Sequence, residues 1–329
     1  GFLRMEKNIK ERMTMQARDE LPMPGALISP RAVAASVHSF FATGQLSQFQ
    51  DQQNPLTSLA HLRRLSVLGP GGLTKERASM AVRDVHYSSF GRICPVRTPE
   101  GPNIGLINYL SMYAKVNKYG FLETPYLKLE KDDKGKVKVT DEIVYLAAYD
   151  EEEVYITDSS IEVDQDGYIV ENQIPLRKAG NFILGEPTLA EYIELVPSQI
   201  VGISAGLIPF LQNNDVARAL MGTQQMSQSV PLVKPESPIV GTGIEKEIAL
   251  NSGAVIVAED KGEVVYADAA KVEVKYSKEG KATYLARKFV QSNTKTCFNQ
   301  YVKVETGDKV KKGDILIEGP SVDQGDISI

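Results

Sequence analysis

The chain alternates between two kinds of apolar spacing. In residues 1–120 the apolar positions recur at helical intervals, separated by polar and Gly-rich breaks. IKERMTMQARDEL has apolar and charged residues spaced for a helix. In SPRAVAASVHSFF, Val33, Val37, Phe40 and Phe41 fall on one helical face, and Ser29 with Pro30 reads as N-cap and first turn. SLAHLRRLSVL reads as a further helix that GPGGL breaks.

Residues 121–175 switch to a two-residue period. KVKVTDEIVYLAAY, VYITDS and YIVEN are expected strands, and DQDG at 164–167 is an expected hairpin turn. Helical spacing returns in TLAEYIELVP and in NDVARALMGTQQMSQ, the latter with Asn214 or Asp215 as cap. From 239 onward GAVIVAEDKGEVVYADAAKVEVKY, TYLARKF and YVKVETGDKVKKGDILIEG predict strands. The expected fold is multidomain α+β. It has a helical, loop-rich segment at 1–120, an acidic β-rich subdomain at 121–185 and a barrel-sandwich-like, strand-rich part within 186–329.

Composition narrows the function. The 329 residues carry 37 Lys+Arg against 42 Asp+Glu, a net charge of −5, which excludes a uniformly basic nucleic-acid binder. Two distant cysteines, Cys94 and Cys297, exclude a disulfide framework and fit a cytoplasmic setting. The longest apolar stretch, Ile200 to Leu211, is about twelve residues and is broken by glycines and a proline; a bilayer span takes ~20. The N-terminus has no signal-peptide pattern and no initiator Met, and the C-terminus stops abruptly, so the sequence reads as cut from something longer.

Charge is segregated. Residues 121–171 hold fifteen acidic side chains and five lysines, a local balance of −10, including the run Asp150-Glu151-Glu152-Glu153. Such a run reads as a solvated face and repels phosphates. Between His61 and Glu100 the sign reverses: Arg63, Arg64, Lys75, Arg77, Arg83, Arg92 and Arg97 face only Glu76, Asp84 and Glu100. Two readings stand for this stretch, a phosphate-facing surface or ion pairing within the fold. The amides Gln45, Gln48, Gln50, Gln52, Gln53 and Asn54 adjoin it and could meet sugar and phosphate oxygens.

No catalytic constellation is visible. GPGGLTK lacks the spacing and the preceding strand of a phosphate loop. His38, His61 and His86 are not spaced as metal ligands, and no carboxylate cluster suited to Mg²⁺ occurs. Pro99 and Pro102 in RTPEGPNIGLIN make a stiff loop around Glu100 and Asn103.

QLSQF, NPL, HLRRLS, LGPGGLT, RDVH, FGR and TPEGPNIGLI occur in order within residues 40–114, followed by KYGFLETPY, GLIPFL, ARALMG, IVGTGIE and GDILIEGPS. This series resembles the bacterial RNA polymerase β-subunit family over the whole chain, about a quarter to a third of a typical member. The resemblance implies part of the wall of an active-site cleft that holds the RNA–DNA hybrid during DNA-templated RNA synthesis. It implies a rifamycin pocket of Gln48, Phe49, Asp51, His61, Arg64, Ser66 and Leu68, closed by Pro99, Asn103 and Ile107. It puts a fork loop at about Gly69 to Arg83, and Glu100, Asn103, Arg218 and Gln228 near the nucleotide and RNA.

Catalytic residues are expected to lie outside this chain, with Mg²⁺ on the partner β′ subunit. β′, α and sigma subunits, DNA template, RNA and ribonucleoside triphosphates are the implied partners, and the isolated chain is expected to be inactive. The sequence departs from the family at Ser227, where an arginine is usual, and at Ala217, Gln50, Gln53 and Ala60. Loss of a guanidinium at 227 calls for a compensating group elsewhere. Two other readings compete: a stand-alone, non-catalytic nucleic-acid-binding module, and a carrier domain built on the VxxGDxVxxGD tail, which lacks the Met-Lys pair of a true carrier.

Overall fold

Every long element of the chain is an answer to one question, where its backbone hydrogen bonds go. The computed structural model describes residues 1–15, 23–132, 135–277 and 280–329. It divides into two compact units, one of residues 1–49 with 69–72 and one of 50–68 with 73–329.

The first unit is helical. Phe2–Met15 is stitched along its surface by Lys10 to Glu6 at 2.7 Å, and Arg12 donates to the carbonyls of Ala26 and Leu27. The expected helix at 9–21 is borne out to Met15; its remainder lies outside the described residues. A single helical turn at Pro24–Leu27 precedes the helix Arg31–Thr43. Ser29 does not cap it: Pro30 occupies the cap in helical conformation, with no side-chain bond to the first turn. The apolar face of Val37, Phe40 and Phe41 is exposed rather than packed.

In the second unit, Pro55–Leu62 forms a helix and Arg64–Ser66 a strand paired antiparallel with Ile107–Tyr109. The expected helix across HLRRLSVL therefore ends early, because the distant strand captures the backbone of Arg64 to Ser66. TLAEYIELVP is likewise a turn followed by the strand Tyr192–Glu194, not a helix. That strand lies in a seven-stranded sheet. The sheet runs Lys115–Val116, Leu122–Lys131, Tyr192–Glu194, Ile156–Thr157, Ile174–Lys178, Asn181–Gly185, with Val137–Ala147 paired to Leu122–Lys131. All pairings are antiparallel except Ile156–Thr157 with Tyr192–Glu194. The expected strands at 136–149 and 154–159 are present. YIVEN makes only isolated bridges around the DQDG turn, which Asp164 closes by accepting from Tyr168 N–H at 2.7 Å.

The run Asp150–Glu153 is not uniformly solvated. Glu151 is 7% exposed and accepts from Arg92 Nη2 at 2.5 Å, Tyr126 Oη at 2.6 Å and Arg177 Nη1 at 3.3 Å. Arg177 also faces Glu194 at 3.6 Å and stacks over Phe90 at 4.0 Å. Glu151 is thus shared by two buried guanidiniums, with Glu194 beside one of them, and this pairing offsets the cost of burying their charge. Burial, then Glu151, pushes the Tyr126 phenol well above its usual range.

Burial, then the nearby Asp158, raises the Glu194 carboxyl to about 7, with Arg177 opposing. In the unfolded chain a glutamate titrates near ~4.3. Native Glu194 therefore holds a proton that the unfolded chain has released across this window. Its stabilising contribution is fully present below about pH 4.3 and is lost as pH rises through 7. Chemical denaturation at pH 5.5 and 8.5 should show the chain losing roughly 1–3 kcal/mol from this group. Glu194→Gln should flatten that loss, and an unchanged slope in the variant would refute the assignment.

The C-terminal strands form two larger sheets and two short ladders, Val290–Gln291 with Cys297–Phe298 and Val322–Asp323 with Asp326–Ile327. One larger sheet has four strands in the order Gly280–Leu285, Lys271–Tyr276, Gly262–Ala267, Lys309–Val310; the other has three, Ile256–Val257, Ile315–Glu318, Tyr301–Val302. Val264, Val272, Val274, Leu316 and Ile317 share one core between them, giving a sandwich without barrel closure. The α+β architecture with several separate sheets agrees with the sequence reading. Among the described residues no helix is long and apolar enough to cross a membrane.

Candidate nucleic-acid interface

The Pro55–Leu62 helix begins at Asn54, whose Oδ1 accepts from Thr57 N–H at 2.9 Å. Asn54 Nδ2 donates to the carbonyls of Met226 and Ser229 at 2.9 and 3.0 Å, at the end of the helix Val216–Gln228. Thr57 Oγ1 donates to Ser227 O at 2.7 Å. One buried amide thereby caps two helices and sets their ends together. Asp215 caps the far end of the second helix through Ala217 N–H, as the sequence reading allowed.

These two helix ends and the loop 97–100 wall a cleft of about 400 Å³, lined in part by Asp51, His61, Arg64, Pro99, Glu100 and Gln228. All six are residues singled out in the sequence. Asp51 N–H donates to His61 Nδ1 at 2.9 Å, which fixes the ring. Burial, then the Arg64 charge, lowers the imidazole pKa, so the ring is neutral at pH 7.

Arg97 is the cleft residue that sequence reasoning did not place there. It is buried, donates to Ser204 Oγ, and reaches Ser227 Oγ through Nη2 at 2.7 Å. Its guanidinium lies 4.2 Å from the centre of the Tyr109 ring, with Arg64 at 5.7 Å. Two cations on one aromatic ring leave the cleft positive on that side. Burial holds the Arg97 pKa below its usual value. Tyr109, Thr98, Gln224 and Ser227 complete the wall. Only the basic charge of Arg97 and the departure at Ser227 hinted at this; Tyr109 gave no sequence signal.

The other predicted residues lie elsewhere. Gln48 and Phe49 belong to the first unit, where both are exposed. Ser66 and Ile107 are register partners across the short ladder, and Leu68 is buried. Asn103 sits half-buried in the 99–107 loop, where Gly105 passes so close to the Arg83 backbone that a Cβ would lie 2.3 Å from its carbonyl oxygen. Arg218 is exposed on the Val216–Gln228 helix and does not line the cleft.

The basic stretch divides between the two readings. Arg92 is 2% exposed and pairs with Glu151; Arg63 donates to Ser111 and Met112 carbonyls, and Arg83 to Pro102 and Ile104 carbonyls. Lys75 and Arg77 are exposed. The amides beside it are structural too: Gln52 accepts from Asn293 N–H, and Gln53 donates to Gln228 O. Among the described residues no group of three His, Cys, Asp or Glu could hold a metal ion. The cleft offers hydrogen bonds and the guanidiniums of Arg64 and Arg97, set against the carboxylates of Asp51 and Glu100.

Residues 48–116 match the family model for RNA polymerase Rpb2, domain 3, and residues 126–195 that for the RNA polymerase beta subunit external 1 domain. The full chain is 49% identical to DNA-directed RNA polymerase subunit beta of Acetivibrio thermocellus, covering 26% of that protein. It is 48% identical to the proteins of the same name from Desulforapulum autotrophicum and Clostridium kluyveri, covering 24% and 26% of them. The chain belongs to the RNA polymerase β-subunit family. It spans about a quarter of the length of the curated relatives it matches. Within this family assignment, the Rpb2 domain 3 match holds Pro55–Leu62, the loop 97–100 and the ladder carrying Tyr109. The external 1 match holds most of the seven-stranded sheet.

Proposed function

We propose that the chain forms part of the wall of the active cleft of a DNA-directed RNA polymerase, where it holds the RNA–DNA hybrid during transcription. The observation that carries this is the gathering of Asp51, His61, Arg64, Pro99, Glu100 and Gln228 on one concave surface, beside the buried cation Arg97. Phosphoryl transfer needs positioning and metal charge more than covalent groups from the protein. A wall of fixed amides, hydroxyls and guanidiniums fits the positioning part. Mg²⁺ would come from the β′ subunit, and α and sigma subunits, template DNA and ribonucleoside triphosphates would complete the assembly in the cytoplasm.

In this reading Glu100, Asn103, Arg218 and Gln228 lie toward the nucleotide and the RNA end. Of the residues expected in a rifamycin pocket, Asp51, His61, Arg64, Ser66, Leu68, Pro99 and Ile107 belong to one unit and form a site that still takes a rifamycin. Residues 1–120 form the fork and pocket segment, 121–185 the outer subdomain, and 186–329 the start of the hybrid-binding region. Arg97 supplies a guanidinium next to the position where Ser227 stands in place of the usual arginine.

The test uses the assembled polymerase and an RNA with 4-thiouridine near its 3′ end. Crosslinks are expected in peptides covering 51–64, 97–103 and 216–228, and none in 121–171. Crosslinks confined to 121–171, or none in the cleft, would overturn the proposal. Half-maximal inhibition by a rifamycin should rise at least tenfold in Arg64→Ala, and failure of the unaltered enzyme to respond to high drug would count against the pocket.

A further inference from the structure

Three arginines are buried among the described residues, Arg92, Arg97 and Arg177. A guanidinium is almost never buried without an opposite charge, because its desolvation has to be offset. Arg92 meets Glu151 at 2.5 Å, and Arg177 meets Glu151 at 3.3 Å and Glu194 at 3.6 Å. Arg97 is as buried as Arg177, at 7% exposed, yet among the described residues no carboxylate pairs with it. Its side-chain partners are neutral: the hydroxyls of Ser204 and Ser227 and the face of the Tyr109 ring. These orient the guanidinium fork without neutralising it.

Arg64 shares that ring, 5.7 Å from its centre. Its Nε is buried with no hydrogen-bond partner, and among the described residues no carboxylate pairs with it either. Both side chains line the cleft, so a ligand in the cleft can reach both. Asp51 and Glu100 line the same cleft, but neither closes on a guanidinium; Asp51 Oδ1 instead accepts from Gln53 N–H. Two carboxylates on the wall disfavour a polyanion such as a triphosphate. A group with a single negative charge is the better match for the two guanidiniums.

We propose that Arg97 and Arg64, set around Tyr109, hold one phosphodiester group of the RNA. This rests on the cleft reading given above and adds to it which group of the RNA is held, and by what. The fork of N–H donors on a guanidinium matches phosphate oxygens, and the hydrogen bonds it makes to them are charge-assisted. Such a contact sets the position of a strand without reading its sequence. The counter-charge that Arg92 and Arg177 find inside the fold is, for Arg97, brought by the ligand.

The test uses the assembled polymerase on a scaffold whose RNA carries one neutral methylphosphonate linkage, moved one position at a time back from the 3′ end. The readout is the half-life of the halted complex at raised salt. Neutralising one particular linkage should shorten it at least fivefold in the unaltered enzyme. In Arg97→Met, with natural RNA, the half-life should be shortened alike, and neutralising that linkage should then change nothing further. Arg64→Met should reduce the effect at the same linkage. A flat scan in the unaltered enzyme needs no variant to fold and would overturn the proposal, as would an equal effect of that linkage in the unaltered and Arg97→Met enzymes. A raised KM for ribonucleoside triphosphates in Arg97→Met, with no linkage effect, would assign the guanidinium to the triphosphate and overturn it too. RNA crosslinks in the cleft together with a flat scan would sink this inference alone; absence of those crosslinks would sink the cleft reading with it.

Discussion

Replacing Glu151 with alanine should destabilise the chain by about 3–5 kcal/mol, the cost of breaking a buried ion pair from one side. The reason is local. Glu151 is the shared acceptor of Arg92, Arg177 and Tyr126, and with it gone Arg177 keeps only Glu194 and Arg92 loses its paired carboxylate. Glu194 is partly protonated near neutrality, so it offsets little of the charge. Arg92 keeps its hydrogen bonds to the carbonyls of Leu122 and Leu146, and the loss is therefore one of charge balance rather than of donors. Glu151→Gln keeps the shape and one acceptor and should cost less than the alanine. Urea unfolding midpoints at constant slope measure both. A change below about 1 kcal/mol for Glu151→Ala would show that the cluster is solvated or rearranges.

The same cluster shows why part of the molecule was legible in its sequence and part was not. The helix Val216–Gln228 with its Asp215 cap, the strand Val137–Ala147 and the Asp164 turn were readable because each is written in neighbouring residues. The strand Arg64–Ser66 was not, because its partner Ile107–Tyr109 lies far along the chain and a helical reading competes locally. Charge was ambiguous for the same reason. Arg92 and Arg97 sit five positions apart in one basic stretch, yet the first is locked to Glu151 and the second reaches Ser227 in the cleft. Composition counts both alike; the partners that tell them apart lie 59 and 130 positions away along the chain. Six of the cleft residues were named from a family resemblance. Tyr109, the ring between two guanidiniums, carried no mark that distinguishes it from a core tyrosine.

The cleft itself depends on Asn54, and Asn54→Ala should cost about 3 kcal/mol. Two terms add. Losing an N-cap costs about 1 kcal/mol, and stranding buried acceptors costs about 1–3 more. Asn54 is 1% exposed, so water cannot replace its Nδ2 donors at the carbonyls of Met226 and Ser229. Ser229 Oγ still donates to Met226 O and Thr57 Oγ1 to Ser227 O, which keeps the sum from reaching its upper end. Asn54→Asp separates the terms. A carboxylate caps Pro55–Leu62 as well as an amide does, but it sets negative charge against carbonyl oxygens of the second helix. Asp should therefore approach the cost of Ala despite preserving the cap, and a nearly neutral Asp variant would show that the cap alone matters. The consequence reaches function. Gln224, Ser227 and Gln228 line the cleft from the helix end that Asn54 and Thr57 fasten. In an assembled polymerase Asn54→Ala should lower rifamycin affinity at least tenfold at temperatures where the enzyme remains folded, measured as the drug concentration that halves RNA synthesis. Full sensitivity in the variant would mean that the wall is held by contacts other than this amide.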